Sequence, residues 1–279
     1  MARSMKTRRS AWKTLWKVLF GVFGLLVLGL AILAVSFLLA DKTSGSLQSS
    51  GENRKYLLYV PETYDPATAA PLVISIHGFA EWPAHQMQIS RWNKLADEYG
   101  FIVVYPSGTD FPKRWCAHGP VSSADDPMPD VTFISDLIDA LEQQYNIDKT
   151  RIYANGLSNG GGMSFLLACK LSQRIAAIGG VSGAYLLPWE NCQPDRPVPL
   201  VAFHGTSDPI VPYGGGPSAS FDIPFPVVAD WVEHYADRNG CASDPEPIAW
   251  HGAVSGIQYT RCDQNADVLF FTIQGGGHS

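Results

Sequence analysis

A chain of 279 residues with 46% hydrophobic and 16% charged side chains can bury a sizeable core, which excludes disorder throughout. Its 26 glycines and 20 prolines follow no repeat and mark ordered turns. Six basic side chains (Arg3, Lys6, Arg8, Arg9, Lys13 and Lys17) lie in residues 1–17, and all 26 acidic ones lie beyond them; so acidic a body is not the expected partner of nucleic acid.

The basic segment, 1–17, is expected on the cytoplasmic side of a membrane. Val18 to Ala40 follows without a charge. At about 1.5 Å per residue it matches a hydrocarbon core of roughly 30 Å. It reads as a transmembrane anchor over 18–40 that leaves the body outside the cytoplasm. A cleaved signal is the alternative, because Ala34 and Ser36 offer a small-residue cleavage site, and it would leave the body secreted. Residues 41–54, small and polar, read as a linker. One domain is expected over 55–279.

Within it, KYLLYV is a predicted strand closed by Pro61. PLVISIHG (71–78) is a continuous apolar run that suits a parallel strand buried on both faces. SRWNKLADEYG (90–100) has helical spacing and a glycine stop, and FIVVYP (101–106) is a second buried strand. Residues 107–127 are loop by composition. DVTFISDLIDALEQQY (130–145) predicts an amphipathic helix with Asp130 as its N-cap. RIYANG is a strand, and NGGGMSFLLACKL (159–171) becomes a helix. IAAIGGVSG (175–183) and VPLVAFHG (198–205) are strands, and PVVADWVEHYADRNG (226–240) is a helix. IQYTRC and DVLFFTI complete the sheet. Strands alternating with helices give an α/β fold with a mostly parallel sheet covered on both faces, and such folds place their chemistry at the carboxyl ends of the strands.

Gly156-Leu157-Ser158-Asn159-Gly160 matches G-x-S-x-G between a strand and a helix, the context of a nucleophile elbow. Glycines on both sides let the chain turn tightly while the serine stands exposed. A plain glycine-rich turn is the competing reading. A serine needs a base and an acid, in the order Ser, Asp or Glu, then His. Asp208 lies in the loop after VAFHG, and an Asx turn before Pro209 is its bland alternative. Of the later histidines, His234 lies within a helix and His251 in an irregular stretch, whereas His278 follows a strand and three glycines. His278 is therefore the predicted base on a flexible loop, and His204 is expected to order the acid loop. The predicted oxyanion donors are the backbone N–H groups of Asn159 and of Phe79, after His77-Gly78. Trp82, Trp115 and Tyr213 are candidates for a substrate pocket, with core packing as the alternative.

Cysteines 116, 169, 192, 241 and 262 contain no CxxC pair, so no metal site is expected. Cys241 and Cys262 enclose a segment near the C-terminus, and Cys169 and Cys192 flank a strand and loop. These two pairs are the predicted disulfides, with Cys116 free. No dinucleotide fingerprint or phosphate loop is present, so no cofactor is expected.

ISIHGF, WNKLADEYGFIVVYPSG, PDVTFISDLID, RIYANGLSNGGGMSFLLAC, VPLVAFHGTSDPIVPYGGG, NGC and GGGHS together resemble the exported polyhydroxybutyrate depolymerase/feruloyl esterase family, in its lipoprotein-like esterase branch. The resemblance implies an α/β-hydrolase fold, with Ser158 as nucleophile, Asp208 as acid and His278 as base. It also supports the Cys241–Cys262 pair. The family's last histidine is usually followed by Trp-Pro-Gly and a closing segment, whereas this chain stops at Ser279, so a C-terminal truncation is expected. The family's lipid-attachment cysteine is missing from the N-terminal segment, which fits a helical anchor. The implied activity is hydrolysis of feruloyl, acetyl or short hydroxyalkanoate esters by a triad. A catalytically silent cell-surface binding protein and a serine peptidase on the same fold are the alternatives.

Overall fold

The computed structural model describes residues 16–30, 42–119, 128–217, 223–242, 244–248 and 251–278. The chain divides into two units, Met1–Lys42 and Thr43–Ser279. In the first, residues 16–30 form helix α1, whose Phe20, Phe23, Leu25 and Leu26 are exposed. Among the described residues no helix is long and apolar enough to cross a membrane. Residues 31–40 of the expected span lie outside them, as do 1–15.

The second unit is built on one ten-stranded sheet. Its strands are β1 (Gly45–Ser49), β2 (Glu52–Tyr59), β3 (Ala70–Ile76), β4 (Ile102–Pro106), β5 (Ile147–Leu157), β6 (Ala177–Val181), β7 (Leu200–Gly205), β8 (Glu246–Ile248), β9 (Val254–Tyr259) and β10 (Val268–Ile273). The spatial order is β1-β2-β4-β3-β5-β6-β7-β10-β9-β8. The run β4-β3-β5-β6-β7-β10 is parallel, and antiparallel hairpins close both edges. The helices are α2 (Pro83–Ser90), α3 (Trp92–Tyr99), α4 (Pro129–Gln144), α5 (Asn159–Lys170) and α6 (Val228–Arg238).

Alternation along the strands sorts the apolar side chains onto two faces. Leu72, Ile74 and Ile76 of β3 join one buried cluster with Ile134, Leu137 and Leu141 of α4, Phe165 of α5 and Trp231 of α6. Val73 turns the other way and packs with Val103, Tyr105 and Ala96 of α3. The spacing of Ile134, Leu137, Ile138 and Leu141 is that of one helix face, so burial of that stripe holds α4 on the sheet.

Two expectations are corrected. The supposed linker from residue 41 contains strand β1, paired antiparallel with β2 from Gly45↔Tyr56 to Ser49↔Glu52. Ser50 and Gly51 both have positive φ (48° and 79°), the backbone that joins a two-residue hairpin, and Leu47 packs against the core. Asp130 is not the N-cap of α4; Met128 holds that position, with Pro129 opening the helix. Asp130 instead forms a buried ion pair with Arg54 at 2.7 Å, while its second oxygen accepts the Cys116 N–H at 2.8 Å. The Arg54 guanidinium also lies 4.1 Å over the Phe133 ring.

Candidate active site

Strand β5 ends at Leu157 and α5 begins at Asn159, so Ser158 is the single residue at which strand becomes helix. Its φ of 56° and ψ of −117° lie where an L-residue is strained, and only a surrounding structure that over-determines the turn retains it. That structure depends on close backbone approach. A Cβ on Gly160 would lie 2.2 Å from the Ile76 carbonyl oxygen, and one on Gly156 would lie 2.3 Å from the Gly160 carbonyl carbon. Glycine at both positions lets α5 begin directly against the end of β3. The Ser158 N–H donates to Val181 O at 2.9 Å, and its carbonyl accepts from Gly162 and Ala184. Among the described residues Ser158 Oγ has no hydrogen-bond partner, nor is it among the oxygens sealed from solvent.

Asp208 follows β7, and His278 follows β10, its parallel neighbour. The His278 Nδ1–H donates to Asp208 Oδ2 at 2.8 Å and to Oδ1 at 3.0 Å. Asp208 Oδ1 also accepts the N–H groups of Ile210 and Val211, both at 2.9 Å. Burial opposes the charge on Asp208, but the His278 bond and these two amides outweigh it and hold its carboxyl below the ordinary value. His204 lies 3.4 Å from Asp208 Oδ2, and its Nε2–H donates to Val211 O at 2.8 Å. Burial lowers the His204 pKa, which favours the neutral ring.

The three glycines before His278 do not leave it on a loose loop. Ser207 N–H donates to Gly276 O at 2.9 Å, Thr206 N–H to Ile273 O, and Gly275 N–H to Thr206 Oγ1. A Cβ on Gly205 would lie 2.2 Å from Gly276 O, so the two loops touch through bare backbone. Asp208 and His278 are thereby held on one laced pair of strand ends.

The loop after β3 completes the site. The Phe79 and Asn159 N–H groups have no hydrogen-bond partner among the described residues. His77 anchors this loop from below. Its Nε2 accepts the Gly108 N–H at 2.9 Å, so the ring proton sits on Nδ1 and donates to Gly78 O at 2.7 Å. Complete burial lowers the His77 pKa to about 4.

The Asn159 side chain, unforeseen in this role, clamps the neighbouring loop through both its amide atoms. Its Oδ1 accepts Trp115 N–H at 2.7 Å, and its Nδ2 donates to Trp115 O at 3.0 Å. Trp115 is thus no pocket wall: it is 1% exposed, and its Nε1–H donates to His77 O. Tyr213 is half-buried, with its hydroxyl 3.1 Å from Thr272 Oγ1 and its ring stacked toward Phe270. Trp82, half-buried at the start of α2, stands three residues from Phe79. Cys169 pairs with Cys192 and Cys241 with Cys262, leaving Cys116 as a free thiol. Among the described residues no group of three or more His, Cys, Asp or Glu side chains is placed to hold a metal ion.

The family model described as esterase PHB depolymerase matches residues 54–189, which span β2 to the loop beyond β6. Feruloyl esterase B of Piromyces equi is 31% identical over 236 residues. Over residues 54–189 the chain is similar to the polyhydroxybutyrate depolymerase esterase family, and over most of its length to a feruloyl esterase. That match covers 81% of this chain and 42% of the relative. A bifunctional acetylxylan esterase/xylanase of Neocallimastix patriciarum is 28% identical over 83% of this chain and 32% of its own length. The chain therefore spans less than half the length of these two relatives. The solved acetyl xylan esterase of Aspergillus awamori superposes with a TM-score of 0.63 at 18% identity, over 84% of this chain and 93% of that one, which shows the shared fold.

Proposed function

We propose that the chain is a metal-free serine carboxylic ester hydrolase working through Ser158, His278 and Asp208. The observation that carries this reading is the Asp208–His278 pair on adjacent strand ends, with Ser158 held at an elbow between strand and helix on the same carboxyl-end edge of the parallel sheet. Ser158 Oγ attacks the ester carbonyl while His278 Nε2 takes its proton. Asp208, bonded to Nδ1, sets the tautomer that leaves Nε2 free to accept and stabilises the imidazolium. The oxyanion of the tetrahedral intermediate is held by the Phe79 and Asn159 amides, each worth about 3–4 kcal/mol. Collapse expels the alcohol, which takes the proton back from His278. Water then hydrolyses the acyl-enzyme by the same steps.

The substrate class follows from the relatives named as feruloyl and acetylxylan esterases: acetyl or feruloyl esters of plant polysaccharide, with short hydroxyalkanoate esters as a further class. Trp82 is the aromatic residue we assign to the acyl pocket. The two disulfides suit an oxidising compartment. We place the hydrolase domain outside the cytoplasm, carried there by residues 1–40 as an anchor or a cleaved signal.

The test is hydrolysis of p-nitrophenyl acetate and methyl ferulate by the full chain and by Ser158→Ala, with labelling by a fluorophosphonate. The expected result is labelling and turnover that both vanish with Ser158. Turnover retained by Ser158→Ala overturns the assignment, and a folded chain that neither labels nor turns over points to a silent binding protein.

A further inference from the structure

The loop after β3 presents four consecutive backbone N–H groups, from Gly78 to Glu81. Three are occupied. Ala80 N–H donates to Lys113 O at 2.8 Å, and Glu81 N–H closes a turn onto Gly78 O at 3.4 Å. Gly78 N–H donates to the Glu81 carboxylate Oε2 at 3.0 Å. Phe79 alone keeps its N–H without a partner among the described residues. Glu81 is thus a side chain reaching back over three residues to occupy the amide next to the free one. Its place is narrow, since a Cβ on Gly78 would lie 3.1 Å from Oε2 and 3.5 Å from Leu157 O, the residue before the candidate nucleophile. The other carboxylate oxygen, Oε1, lies 3.4 Å from His85 Nδ1 on α2.

The turn from Gly78 to Glu81 carries Ala80 at a φ of 60°, a strained value that persists only where its surroundings hold it. The Gly78–Phe79 peptide is held through its carbonyl, which accepts the His77 Nδ1–H at 2.7 Å and the Glu81 N–H at 3.4 Å. The Glu81 carboxylate holds the N–H of the preceding peptide, on the other side of the Gly78 Cα, and so limits rotation about the one glycine that joins the two planes. The geometry points to Glu81 as a positioning residue for ester hydrolysis, whose carboxylate holds the Gly78 N–H so that the Phe79 N–H faces the oxyanion. This rests on the hydrolase reading above. The function needs an acceptor at this point and not a negative charge, which close to a developing oxyanion is unfavourable. Glutamine supplies the same acceptor without the charge; aspartate keeps the charge but withdraws it by one methylene.

The experiment measures kcat and KM for p-nitrophenyl acetate, and the inhibition constant of an acyl trifluoromethyl ketone, for the full chain and for Glu81→Gln, Glu81→Asp and Glu81→Ala. Thermal melts accompany each variant. The expected result is that Glu81→Gln stays within about threefold of the parent, while Glu81→Asp and Glu81→Ala lose roughly 10- to 100-fold in kcat, less than the full loss of one donor. KM stays within about twofold, and the ketone weakens in step with kcat/KM. Should Glu81→Ala fail to fold, the order of glutamine and aspartate still decides. Aspartate as active as the parent, glutamine as poor as alanine, or a loss confined to KM each overturns the proposal. Ser158→Ala, run alongside, separates the two claims. A dead Ser158→Ala with a flat Glu81 series removes only the positioning role, whereas an active Ser158→Ala removes the hydrolase reading itself.

Discussion

His77 makes stability depend on pH in a window that can be stated beforehand. The ring is fully buried beneath the loop after β3, and its Nε2 accepts the Gly108 N–H, so protonation there has to break a bond inside the core. Burial lowers its pKa from the ordinary 6.5 to about 4, with Lys113 and His85 adding to the effect and the Gly78 carbonyl opposing it. The folded value lies below the unfolded one, so between them the unfolded chain binds the extra proton. Stability from this group is therefore complete above pH about 6.5 and falls as the pH drops toward 4. At about 1.4 kcal/mol per pKa unit, the loss across that window is about 3 kcal/mol. His204, also lowered by burial, adds to the fall in the same direction. Urea unfolding between pH 8 and pH 4, for the full chain and for His77→Gln, isolates the His77 share. The variant is expected to be less stable at pH 8 and to close most of that gap by pH 4. Parallel pH profiles for the two proteins would refute the reasoning.

Asp208→Asn is expected to lower kcat by roughly 10³–10⁴-fold with the fold intact, because His278 loses the acceptor that sets its tautomer; steady-state kinetics with p-nitrophenyl acetate read this. Gly160→Ala sets a methyl 2.2 Å from Ile76 O and is expected to cost about 1–3 kcal/mol by urea unfolding and to slow turnover, since β3 and α5 have to part at the site. Arg54→Met leaves the Asp130 carboxylate buried and unpaired and is expected to cost about 3–5 kcal/mol in the same measurement. Removing the Cys169–Cys192 bridge frees a loop with a sequence separation of 23 and is expected to cost about 3 kcal/mol, seen as a lowered melting temperature; reductant, which opens Cys241–Cys262 as well, is expected to lower that of the parent chain at least as far.

The sheet was legible because its central strands are continuous apolar runs between turn signals, as in PLVISIHG and VPLVAFHG, and such runs fit a parallel sheet covered on both faces. The parts that escaped are those whose chemistry is supplied by distant residues. DKTSGSLQSSGE is polar because β1 is an edge strand with one side in water, and its Ser50-Gly51 turn is the only local mark of a hairpin. Asp130 precedes a helical run and so looks like a cap. Only the arrival of Arg54, 76 residues away, makes it a buried ion pair. Trp115 lies in a stretch read as loop, and no sequence period says that Asn159 and His77 will enclose it.

The site divides along the same line. Gly156 and Gly160 around Ser158, and the glycines before His278, are visible in sequence because close backbone approach leaves glycine as the one residue that fits. What those contacts achieve is visible only in space. The 205–208 and 275–278 segments lie on one another so that Asp208 and His278 meet across adjacent parallel strands. On the other side, the start of α5 lies against the end of β3, so the Asn159 and Phe79 amides come from elements that touch through backbone alone. Neither contact can yield by a side-chain rotation. Small shifts at either pair of glycines therefore move a proposed triad residue or a proposed oxyanion donor directly, and activity is expected to be lost before the fold is.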